Sequence, residues 1–182
     1  ERNQDGSPTW DRIIIDAPAT GHSLTFFRLP NVISKAVPSG NMHNESVEMW
    51  ELLTDLERTA IHLVSLPEEL PVQETFELHE RLTEELKLPV SSVFVNQMPK
   101  HPGIISKHEL MESWIHPPDD QNIRLLWNAS RVRHSLVEHA EVHRDSLQRL
   151  APMIELPIRY SEKFGRSDIE ALADIISESC HE

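Results

Sequence analysis

Four short runs of branched and apolar residues, separated by longer stretches with helical spacing, set most of what this chain can fold into. The runs are Arg12–Ile15, Thr59–Leu66, Val90–Val95 and Met153–Ile158. All are of strand length and rich in Ile, Val, Leu or Thr, several of which suit a pleated surface. Apolar runs without strict alternation suit strands buried on both faces, as in a parallel sheet. Asp16, Pro67 and Asn96 close the first three runs. Pro157 interrupts the fourth and marks it as a strand end or a sheet edge, because proline cannot donate to a ladder.

Between the runs lie helical patterns. Ser23 to Val37 carries spaced apolar residues, and Pro30 is expected to divide it into two short helical pieces. Ser46 to Leu56 sets Val47, Trp50 and Leu53 near one face. Pro71 to Lys87 places Phe76, Leu78, Leu82 and Leu86 on an apolar side. Ser106 to Trp114 reads as a short helix, Asp119 or Asp120 as the cap of a long one reaching about Leu150, and Asp168 to Ser177 as the last. Alternation of this kind predicts an α/β fold: a parallel sheet with right-handed crossovers and helices on both faces. The 182 residues suit one domain. Within 1–182 its parts are 9–30 (strand and following turn), 59–98 (strand–helix–strand), 104–150 (helical) and 152–178 (closing strand and helix).

Composition removes several function classes. A net charge of -13 repels nucleic acid and disfavours docking on anionic lipid. The single cysteine, Cys180, excludes an intrachain disulfide and a cysteine metal cluster within one chain. No apolar stretch is long enough to suggest membrane insertion, and a cytoplasmic protein is expected. His139 and His143 are four apart on the predicted long helix, with His134 nearby. A zinc site would still need a third ligand and supporting partners, so a solvated histidine face is the preferred reading.

Ligands of such sheets bind beyond the carboxyl ends of the strands, which directs attention to 16–22, 67–70, 96–98 and 159–165. Asp16-Ala17-Pro18-Ala19-Thr20-Gly21-His22-Ser23-Leu24, followed by Leu29-Pro30, resembles the switch II signature of the ArsA/Get3 ATPases. Leu66-Pro67-Glu68-Glu69-Leu70, Val95-Asn96-Gln97, and Leu156-Pro157 with Gly165 and Ile169-Glu170-Ala171-Leu172 are similar to later segments of that family, in the same order. The resemblance implies part of a P-loop NTPase fold of the SIMIBI type, and an ATP-binding, ATP-hydrolysing switch working as a homodimer or with a related ATPase partner. It implies ATP and magnesium as cofactors. Asp16 would hold magnesium through a water, and Gly21 would bring a backbone N–H to the terminal phosphate. Asn96 would read adenine, with Pro157 and Ile158 against the base. Each has a plainer alternative: Asp16 as a cap of its turn, Gly21 as a turn glycine, Asn96 as a residue closing a strand.

Departures from the family pattern temper what is carried over. No Gly-x-x-x-x-Gly-Lys-Ser/Thr loop occurs, nor does the Cys-x-x-Cys that holds an intersubunit zinc in Get3. Only Met42 and Met49 stand where a methionine-rich insert would bind membrane anchors. The 182 residues are therefore expected to be inactive alone, the phosphate-binding half lying upstream in a parent chain. A non-enzymatic module that binds a partner ATPase or a helical client is the alternative.

Overall fold

A computed structural model describes residues 9–18, 20–101 and 119–179. The expected helix at Ser106–Trp114 lies outside the described residues. Among the described residues five α-helices and three strands follow in the order α1 (Thr20–Ala36), α2 (Asn41–Thr54), β1 (Ile61–Ser65), α3 (Glu69–Glu80), β2 (Val90–Met98), α4 (Gln121–Leu147), β3 (Met153–Pro157) and α5 (Arg166–Ser179). A π-helical turn, Arg81–Glu85, extends α3 toward β2.

The strands form one parallel sheet in the order β1-β2-β3. Leu63 pairs with Val93, Val93 with Met153, and Val95 with Glu155. Alternation puts Leu63, Val93 and Val95 on one face, where Val93 and Val95 are 0% exposed. Val72 of α3, Leu82 and Leu86 of the π turn and its end, and Ala140 and Leu147 of α4 close over that face as one apolar cluster. Helix α5 contacts β3. Across the sheet, Val64 stays 67% exposed.

Helix starts and stops follow local chemistry. The Asp120 carboxylate accepts from the backbone N–H groups of Asn122 at 2.9 Å and Ile123 at 3.1 Å, an N-cap that satisfies donors with no intrahelical partner. Gly40 precedes α2 at φ 101°, a conformation that suits glycine. His43 Nδ1 lies 3.0 Å from the Ser34 carbonyl and 2.8 Å from that of Val37, tying the start of α2 to the end of α1. Among the described residues no helix is long and apolar enough to cross a membrane.

Three sequence expectations need correction. Helix α1 is continuous through Pro30. A proline inside a helix removes one backbone bond and crowds the carbonyl four residues earlier, yet here the helix runs through it and the residue is buried. Helix α2 begins at Asn41 rather than Ser46 because Gly40 and His43 define an earlier start. The run Arg12–Ile15 is not a strand. Ile13, Ile14 and Ile15 are 73%, 89% and 62% exposed, and no described strand pairs with them. Branched residues suit a sheet, but a strand exists only where a neighbour supplies the ladder.

Candidate functional site

Strand β2 does not end cleanly. Its register with β3 shifts between Val95 and Met98, and Gln97 adopts φ 57°, the left-handed region that non-glycine residues rarely occupy. Such kinks re-aim side chains at strand ends and gather at functional positions. The Gln97 N–H donates to Oδ1 of Asn96 at 2.9 Å. Met98 then pairs with Pro157, and the Ile158 N–H donates to the Met98 carbonyl at 3.0 Å. Asn96, Pro157 and Ile158 thus sit at neighbouring strand ends, each half-buried.

Beside these ends opens a cavity of about 440 Å³ lined by Met98, Pro99, Lys100, His101, Glu141, Arg144, Glu155, Pro157 and Ile175. Arg144 of α4 donates through Nη1 to Glu155 Oε1 of β3 at 2.7 Å. Its Nε lies 2.7 Å from Asp145 Oδ1 but is out of line for a hydrogen bond and buried without one. The bond to Glu155 holds the guanidinium even more firmly protonated than usual. Partial burial opposes that effect, and the carboxylates of Glu155, Asp145 and Glu141 add to it. His101 Nε2 lies 3.2 Å from Glu141 Oε1. The ring of His134 is 5.4 Å from that of His101, is buried, and has no hydrogen-bond partner at either nitrogen.

Arg133 clamps the two strand-end loops together. Its Nε donates to the Lys100 carbonyl at 3.2 Å. Its guanidinium bonds the Tyr160 hydroxyl and lies 5.0 Å from the centre of that ring. Further along, Asp168 is buried and accepts from the Gly165 N–H at 3.0 Å, from Ser161 Oγ at 3.3 Å and from Arg159 Nε at 3.4 Å. Gly165 returns its carbonyl to the Asp168 N–H at 3.1 Å, a reciprocal cap for α5. The Gly165 N–H, with Arg159 and Ser161, holds the Asp168 carboxyl below its ordinary range, against the opposing effect of burial.

Asp16 and Gly21 stand apart from this cluster. Asp16 is exposed in the segment before α1, and among the described residues no hydrogen bond or ion pair joins either residue to Asn96, Pro157 or Ile158. Gly21 lies in the first turn of α1, not in a turn between elements as expected. A Cβ there would meet nothing within 4 Å, so the chain's own packing does not require glycine. The histidines of α4 do not converge on a metal. His139 Nδ1 bonds the Ser135 carbonyl at 2.6 Å, and among the described residues no three His, Cys, Asp or Glu could hold an ion.

Sequence reasoning missed Arg144 and Glu155 as site residues, the left-handed backbone of Gln97 and the capping carboxylate of Asp168. Only Asp168 left a signal, since a carboxylate three residues after the Gly165 cap position has capping-box spacing. The other three depend on contacts between elements or on a backbone twist that residue type does not encode.

A parallel sheet with helices on it, and a loop cluster at the carboxyl ends of its strands, define the class: part of a P-loop NTPase-like α/β fold. The profile of the anion-transporting ATPase family matches residues 38–114. The Mycobacterium tuberculosis protein named ATPase BagA is 34% identical over 167 residues, covering 82% of this chain and 48% of that protein. A Mycobacterium bovis protein, also named as an ATPase, matches to the same extent. This chain is a relative of the ArsA-type ATPases. It spans about half the length of the curated relatives it matches.

Proposed function

We propose that this chain is the base-binding part of an ATP-binding, ATP-hydrolysing switch ATPase of the ArsA type. The observation that carries the reading is the juxtaposition of Asn96 with Pro157 and Ile158 at the ends of β2 and β3, the place where ligands of open α/β sheets bind. Asn96 offers amide donors and a carbonyl acceptor, and Pro157 and Ile158 offer an apolar wall for a flat base. The relatives' names support an ATPase.

In this reading Asp16 and Gly21 act at the phosphate end. Bound magnesium would supply charge neutralisation there. Asp16, exposed and free of other partners among the described residues, is suited to hold one of its waters. Gly21, unhindered at the start of α1, leaves room for a phosphate oxygen at a helix N-terminus, where backbone N–H groups are unpaired. Neither residue provides the lysine and amide cradle that phosphoryl transfer relies on, so turnover requires a P-loop from elsewhere in a parent protein. Assembly as a dimer, or with a related ATPase partner, and a cytoplasmic location belong to the same proposal.

The test is competition binding of ATP and GTP to a full-length parent and its Asn96→Ala variant, with circular dichroism as the folding control. Asn96→Ala is expected to weaken ATP binding and to narrow the ATP/GTP gap by roughly 1–3 kcal/mol, the cost of leaving buried polar groups unpaired. Equal discrimination by both proteins assigns Asn96 to the turn alone and removes the base-reading role.

A further inference from the structure

Helix α4 buries one face and leaves the opposite face open along most of its length. Trp127, His134, Val137, Ala140 and Leu147 are buried. Leu125, Val132, Leu136 and Val142 are instead 63%, 61%, 55% and 69% exposed. A helix that only covers a sheet needs one apolar stripe. A second stripe marks a contact surface, and the charges beside it say what the contact is.

Seven residues make nearly two turns of helix, so residues seven apart share a row. Leu125, Val132 and His139 form one row, and Asn128, Ser135 and Val142 the next. Beside them runs a charged row, Arg124, Arg131, Glu138 and Asp145. Two cations are followed by two anions. Such a row matches a reversed copy of itself, whereas a parallel copy sets like charge on like charge, which is repulsive. Laid antiparallel on a second α4, Arg131 meets Glu138 and Arg124 meets Asp145, each contact made twice by two-fold symmetry. The same register sets Leu125 against Val142 and Val132 against Ser135, with Ala129 beside Leu136 on the other flank. Asn128 then faces His139. The His139 Nδ1 is engaged by the Ser135 carbonyl at 2.6 Å, which leaves Nε2 to accept from the Asn128 amide.

We propose that this face of α4 docks on the same face of a second copy of the chain, antiparallel, with the two-fold axis crossing between Val132 and Ser135. An unrelated apolar helix could cover the stripe but would leave the charged row unmatched. The face gives the homodimer named above its contact. None of Asn96, Pro157 and Ile158 takes part, so the ATP/GTP competition and the dimer succeed or fail separately.

Sedimentation equilibrium of the 182-residue chain without nucleotide tests the proposal, with circular dichroism as the folding control. Wild type is expected to form a weak, reversible dimer, as contacts of less than about 1,200 Å² do. Arg131→Glu and Glu138→Arg should each raise the dimer Kd about tenfold, equivalent to about 1.4 kcal/mol. The double variant restores opposite charges across the axis and should return Kd to within about threefold of wild type, a change of about 0.6 kcal/mol. Val132→Lys, at an exposed position, should leave the chain folded and monomeric. A wild type that stays monomeric at every concentration overturns the proposal. So does a dimer that Val132→Lys leaves intact while Ile14→Lys dissolves it, since pairing then runs through the segment before α1. A double variant no better than the single ones overturns the antiparallel register.

Discussion

Truncating Leu147 tests whether α4 is held to the sheet as the structure requires. Leu147 ends α4, is 0% exposed, and belongs to the cluster formed with Leu82, Val93 and Val95. Leu147→Ala removes three carbons, worth about 0.8 kcal/mol each in transfer, or about 2.4 kcal/mol together. The cavity left behind adds to this, so the expected loss falls in the upper part of the roughly 2–5 kcal/mol range for such truncations. With urea m-values of about 1–3 kcal/mol/M for small proteins, a loss of about 4 kcal/mol should lower the unfolding midpoint by about 1.3–4 M. Arg144 lies one turn before Leu147 on α4, so loosening this contact also loosens the bond to Glu155 and the wall of the cavity. Leu136 on the same helix is 55% exposed, and Leu136→Ala should change stability by no more than about 0.5 kcal/mol. The assay is equilibrium urea unfolding followed by far-ultraviolet circular dichroism for wild type and both variants. Equal midpoints for the two variants would refute the packing of α4 on β2.

The 182 residues alone should release phosphate from ATP no faster than background in a steady-state assay. Magnesium-dependent turnover that Asp16→Asn abolishes would overturn the assignment of the phosphate cradle to another segment. The Asp168 carboxyl is held below its ordinary value of 3.8, so its contribution is fully present above that value and is lost as pH falls through the lowered folded-state pKa. Asp168→Asn should therefore lower the melting temperature at pH 6 and lower it progressively less as the pH drops below 3.8. A melting-temperature gap that stays constant over that range would remove the ionised cap from the account of α5.

Much of the sheet was legible in the sequence. The runs at 59–66, 90–95 and 153–158 became β1, β2 and β3 with shifts of a few residues, β3 ending at Pro157 as expected and β2 running past Asn96 to Met98. The cap at Asp120 was legible, since an N-cap satisfies backbone donors within its own turn. The run Arg12–Ile15 failed because residue type can favour a strand but cannot supply its neighbour. At the candidate site, Asn96, Pro157 and Ile158 were reached through a resemblance that spans the motif order. Arg144 and Glu155 were not, since their contact joins a helix to a strand 11 residues on. The left-handed Gln97 was also out of reach, because no glycine or asparagine marks that position.

The exposed isoleucines before α1 bear on how these residues behave at high concentration. Among the described residues Ile13, Ile14 and Ile15 form a branched apolar stretch open to solvent, and β1 is paired along one side only. Open strand edges and exposed branched segments are templates for pairing between molecules, the starting point of aggregation. What opposes this is mutual repulsion from the net charge of -13, which acts over about 8 Å at physiological ionic strength and about 3 Å in 1 M salt. Self-association, read by light scattering, should therefore rise with added sodium chloride, and replacing Ile14 by lysine should suppress it while leaving the helix–sheet core as it is.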